Sequence, residues 1–86
     1  MINIRTLEQA ETVLYKITND LNMKHNYNSL EVILIWNAYD ECMETVKAII
    51  NKNGSITDKQ IAITAREIKK VHDTRDEKQK EFFEKL

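Results

Sequence analysis

Apolar residues recur along this chain at alternating steps of three and four, the spacing that gathers them on one face of an α-helix. Leu7, Ala10, Val13, Leu14, Ile17 and Leu21 form one narrow stripe, with Glu11, Lys16, Asn19 and Asp20 on the far side. The densest apolar run, Val32-Ile33-Leu34-Ile35-Trp36, opens a longer segment that carries two adjoining stripes. One is Ile35, Tyr39, Cys42, Val46 and Ile49; the other is Val32, Trp36, Tyr39, Met43, Val46 and Ile50. Two seams on one helix imply two neighbours. A third segment places Ile61, Ala65, Ile68, His72, Arg75, Gln79, Phe82 and Leu86 in register.

Capping signals bound these segments. Thr6-Leu7-Glu8-Gln9 and Thr57-Asp58-Lys59-Gln60 read as capping boxes, and Asn28 or Ser29 as the cap of the middle helix. Gly54 suits the left-handed position just past a helix end. The expected fold is all-α: helices over about residues 6–23, 29–53 and 57–86, in one domain spanning residues 1–86. Met1 to Arg5 is a lead-in. Short connections make neighbours antiparallel, giving an up-down-up three-helix bundle around the middle helix. Its last helix is long and overhangs its partners. Thr74-Arg75-Asp76-Glu77 is a further capping box, so a four-helix version breaks near Asp73. With no Gly or Pro there, a continuous helix is the preferred expectation.

Composition narrows the class. The chain has 86 residues, no Pro and one Gly, which suits few, long helices. Net charge is −1, so no bulk field draws it to nucleic acid or membrane. A single Cys excludes an internal disulfide. No stretch is apolar enough to span a bilayer, so membrane insertion is not expected. The N-terminus lacks a secretory pattern, and the expected localisation is cytoplasmic. Abundant Ile, Lys and Asn point to an AT-rich genome, such as that of a low-GC bacterium or a phage.

The third stripe turns polar at His72, Arg75 and Gln79, where apolar residues would complete it. Pairing the last two helices about Gly54 sets His72 near Tyr39 and Arg75 near Trp36, with a hydrogen bond and a cation–π contact expected there. Beyond them, Phe82, Phe83 and Leu86 lie on the overhang, reaching either the first connection near His25 and Tyr27 or another chain. The seam has two readings, one as a device that fixes register and the other as part of a partner-binding face. The second makes Trp36, Tyr39, His72, Arg75, Gln79, Phe82, Phe83 and Leu86 the candidate binding residues, for another protein or a second copy of this chain.

Other constellations carry less. Cys42 lies mid-stripe and reads as a small core residue. Asp40, Glu41 and Glu44 read as a solvated acidic face. His25 and His72 show no zinc spacing, and neither a metal nor a cofactor is expected. Arg66, Lys69 and Lys70 form a small basic patch, and a nucleic-acid-binding regulator is one alternative, with too few clustered cations for several phosphate contacts. The segment Val46 to Asp58, continued by Ala65-Arg66-Glu67-Ile68, resembles the helical hairpin of small aspartyl-phosphate phosphatases of the sporulation phosphorelay. That resemblance implies a helical hairpin. The family carries a Ser-Gln-Glu-Leu-Asp motif on its second helix. Here the matching positions are Ala65, Arg66, Glu67, Ile68 and Lys69, without the Ser or the Asp, as in a degenerate member. The function that fits best is a small cytoplasmic interaction module, a regulator or inhibitor rather than an enzyme.

Overall fold

The computed structural model describes residues 4–85. In chain order it holds β1 (Ile4–Arg5), α1 (Leu7–His25), α2 (Ser29–Asn53), β2 (Ile56–Thr57), α3 (Asp58–Asp73) and α4 (Arg75–Glu84). The fold is all-α apart from β1 and β2, which pair antiparallel with Ile4 opposite Thr57 and Arg5 opposite Ile56. Among the described residues no helix is long and apolar enough to cross a membrane.

Three helices start on side chains that take up otherwise orphaned backbone amides. Thr6, Asn28 and Thr57 each accept from the backbone amide three residues on. The side chains of Gln9, Glu31 and Gln60 return the bond to the cap amides. At the other end of α2, Gly54 adopts φ 83° and its N–H reaches the Ile50 carbonyl. An L-residue at that φ is strained, whereas Gly is not. Asn26 ends α1 in the same left-handed region, at φ 47°.

The core gathers around α2. Ile35, Ala38, Cys42, Met43 and Val46 are buried there, against Ala10 and Leu14 of α1 and Ile61, Ala65, Ile68 and Val71 of α3. Burying an Ile or Leu side chain contributes roughly 1.5–3 kcal/mol. Thr18 also lies in this core, because its hydroxyl donates to the Leu14 carbonyl at 2.8 Å and leaves no polar atom unpaired. Val13, expected in the α1 stripe, is instead exposed. The buried positions of α1 step by four through Ala10, Leu14 and Thr18, one turn apart on a line that Val13 flanks.

Arg5 belongs to a strand rather than a lead-in; Met1 to Asn3 lie outside the described residues. β1 pairs with β2, whose Ile56 is fully buried. Arg5 then grips the first residue of α3, with Nε 2.8 Å from Asp58 Oδ1 and Nη2 3.4 Å from Oδ2. This two-point pairing raises the Arg5 pKa, through the hydrogen bond first and the carboxylate charge second.

The expected continuous C-terminal helix is interrupted. At Thr74 the backbone departs to φ −110°, ψ 20°, which divides α3 from α4. The Thr74 hydroxyl donates to the Lys70 carbonyl at 2.7 Å, and Arg75 Nη1 donates to the His72 carbonyl at 2.8 Å. Thr12, Thr18, Thr45 and Thr64 make the same hydroxyl bond inside unbroken helices, and the Thr74 N–H still reaches the Lys70 carbonyl at 3.0 Å. What sets Thr74 apart is its backbone geometry and the Arg75 bond to the His72 carbonyl. The capping box expected at Thr74 does not form, since no side chain caps α4 and the hydroxyl is used backward.

Candidate functional site

The polar seam is where chemistry-bearing side chains converge, and its partners differ from those a reflection about Gly54 predicts. His72 bonds through Nδ1 to the Tyr27 hydroxyl and not to Tyr39. Its ring also lies 4.3 Å from that of His25, centroid to centroid. Arg75 pairs with Glu31, Nε to Oε2 at 2.8 Å, and not with Trp36. Asn28 Nδ2 donates to Gln79 Oε1 at 3.2 Å. The cause is the connection after Gly54. It is no tight turn: β2 is extended and packs on α2, so α3 starts alongside the body of α2 rather than at its tip. Cys42 accordingly meets Thr64, its Sγ 3.2 Å from that carbonyl oxygen.

The contacts of His72, Arg75 and Gln79 all land on one short stretch, His25 to Glu31, where α1 gives way to α2. Two of its residues act twice. Asn28 accepts from the Glu31 amide through Oδ1 and spends Nδ2 on Gln79. Glu31 accepts from the Asn28 amide through Oε1 and holds Arg75 through Oε2. The capping box of α2 is therefore also the socket for α4. The Arg75 and Glu31 side chains are 35% and 15% exposed, so the pair is partly shielded from water.

Titration behaviour follows this setting. Burial above all lowers the His72 pKa from its ordinary 6.5, and the neighbouring His25 and Arg75 add to the effect against Asp73 and Glu31. Burial raises the Tyr27 pKa, so the hydroxyl keeps its proton near neutral pH.

Trp36 and Tyr39 belong to a different cluster. Tyr15 of α1 packs on both, with ring centroids 5.3 Å from Trp36 and 6.2 Å from Tyr39, and Trp36 and Tyr39 meet edge to face at 5.4 Å. The eight candidate residues thus do not form one patch around Trp36 and Arg75. Tyr15 was not singled out by sequence reasoning, although its position next to Leu14 on α1 was the available signal. At the end of α4, Phe82 and Phe83 are exposed, 44% and 63%, with their rings edge to face at 5.9 Å. The ring contacts of His25 and Tyr27 are with each other and with His72. Leu86 lies outside the described residues.

Elsewhere, Cys42 is buried and its thiol pKa is pushed up to about 11, by burial first and by Glu67 and Glu41 next. That keeps it protonated, the opposite of what a nucleophile needs. Of the positions aligned with the phosphatase motif, Ala65 and Ile68 are core while Arg66, Glu67 and Lys69 are exposed. The basic residues Arg66 and Lys70 line a surface hollow together with Glu41 and Glu67, so that surface is of mixed sign. Among the described residues no group of three His, Cys, Asp or Glu is arranged to hold a metal ion. An open groove of about 580 Å³ runs between α1 and α3, lined by Val13, Ile17, Ile61, Ala62 and Ala65 and bordered by Arg5 and Asp58. Compared with known protein families, curated proteins and solved structures, the chain matches none.

Proposed function

We propose that this protein is a small interaction module, a regulator or inhibitor that acts in the cytoplasm by binding another protein or a second copy of itself. The Ile-, Lys- and Asn-rich composition favours a phage or low-GC bacterial source. An up-down-up arrangement of α1, α2 and the α3–α4 arm is consistent with the pairings of Cys42 with Thr64, Glu31 with Arg75 and Asn28 with Gln79. One observation carries the reading: two adjacent phenylalanines stand in water on a helix that is docked by directed polar bonds. Large aromatic side chains are the usual energetic anchors of interfaces, and exposing two of them is unfavourable unless something covers them.

The test is Phe83→Asp, read by circular dichroism, by light scattering over a range of concentration and by competition for any captured partner. The expected outcome is unchanged helicity with loss of self-association or of partner binding. Unfolding of the variant would make Phe83 a core residue. Unaltered mass and unaltered binding would remove the C-terminal end from the interface.

A further inference from the structure

We infer that the His25–Tyr27–His72 cluster is a pH-sensitive latch that holds α4 at neutral pH and loosens it as the solution becomes acidic. Its geometry brings two imidazoles into contact, rings 4.3 Å apart, at the hinge where α3 gives way to α4. One of them, His72, bonds to Tyr27, and its backbone carbonyl accepts from Arg75. Arg75 in turn is held by Glu31. A charge placed on His72 is therefore felt at Arg75, whose pairing with Glu31 is one of the contacts that join α4 to the rest of the fold.

With His72 neutral, Nδ1 can accept the Tyr27 proton. Protonation makes Nδ1 a donor, and the Tyr27 hydroxyl must turn to accept from it. The new charge sits against the His25 ring, near the Arg75 guanidinium. Lys24 of α1 and Lys69 of α3 border the same hollow. Against these cations stand Asp20 of α1, Glu31 of α2 and Asp73 of α3. Tyr27 remains a phenol throughout.

The sign follows from the lowered His72 pKa. Packed against His25, Tyr27 and Arg75, His72 binds a proton less readily than a free imidazole does. The latch is thus fully present above the ordinary value of 6.5 and weakens as pH falls through 6.5 and on through the lower docked value. No residue of the core around Cys42 and Val46 titrates in that window, so the change centres on the His25–His72 seam and the α4 root beside it. The latch does not depend on what, if anything, binds Phe82 and Phe83.

Amide hydrogen exchange on the full chain, corrected for intrinsic rates, tests this from about pH 8 to about pH 5.5, across the His range and above that of ordinary carboxylates. Protection of the α4 amides is expected to fall several-fold on acidification, while protection around Cys42 and Val46 holds. In His72→Gln, which can still bond Tyr27 but cannot titrate, the α4 profile is expected to be flat. A wild-type profile that is flat, or a fall that persists in His72→Gln, overturns the latch. If His72→Gln fails to dock α4 at any pH, the wild-type His72 ring is titrated by NMR instead. A midpoint below 6.5 supports the latch, and one at or above it overturns it.

Discussion

α3 and α4 follow one another with a single residue between them, yet they are held in opposite ways. α3 buries Ile61, Ala65, Ile68 and Val71 against α2. α4 buries no residue at all and is fixed by Arg75 on Glu31 and Gln79 on Asn28, with the His72–Tyr27 bond at its root. Burial is non-directional and strong, whereas partly exposed polar contacts are individually worth about 1 kcal/mol or less. A ten-residue helix is also too short to persist alone in water. α4 is accordingly the element that opens first, and α2 with α3 sets the global stability.

The largest effect is expected at the centre of the dry region. Cys42 is buried and holds its proton beneath the surface hollow that Glu41, Thr64 and Arg66 also line, so alkylation of the native protein requires at least that cover to open. The reaction should run roughly a thousandfold or more below that of the unfolded chain, as marginal domain stabilities imply. A native rate within tenfold of the unfolded one would mean that Cys42 is reached by a local opening, which breaks the contrast drawn between the two regions. Ile68→Ala comes next. It removes a fully buried side chain and should cost about 2–5 kcal/mol by urea titration, while accelerating Cys42 alkylation in proportion.

These core positions were the part most legible in the sequence. Ile68, Cys42 and Val46 fall on the stripes that helical periodicity draws, and Thr6, Thr57 and Gly54 mark ends that elementary backbone chemistry recognises. The pairing of β1 with β2 was not legible, since two-residue strands leave no alternation to read. The socket was not legible either. Asn28 is visible as a helix start, but its second bond to Gln79 spans distant parts of the chain and depends on the register of α3 on α2. That register was displaced by the extended path through β2. The break at Thr74 goes with Arg75 turning onto the His72 carbonyl and onto Glu31, contacts that spacing along the chain does not show.

Gly54→Ala is the middle case. Nothing lies within 4 Å of an added Cβ, so the cost is backbone strain alone at φ +83°. About 1 kcal/mol is expected in global stability, with α4 exchange and core exchange affected together. Glu31→Gln should separate them. Gln still caps Asn28, so α2 keeps its start, but the charge on Arg75 loses its partner. The expected loss is about 0.5–1 kcal/mol, discounted for solvent exposure and seen in α4 exchange with the urea midpoint nearly unmoved. An equal loss in both would show α4 to be part of the cooperative core.

The smallest effect gives the sharpest test, because two opposing terms have to be separated. Gln79→Ala deletes an exposed, neutral hydrogen bond to Asn28. It also substitutes the best helix former, which favours α4 by a few tenths of a kcal/mol. The net change in stability is near zero, so a melting curve says nothing about the seam. Lys80→Ala supplies the comparison, since Lys80 is exposed on the same helix and its replacement carries the propensity gain alone. α4 amides should therefore exchange roughly twofold faster in Gln79→Ala than in Lys80→Ala, the ratio that about 0.5 kcal/mol of docking implies. Equal rates would mean that the Asn28–Gln79 contact contributes nothing, leaving His72 and Arg75 to hold the arm that presents Phe82 and Phe83.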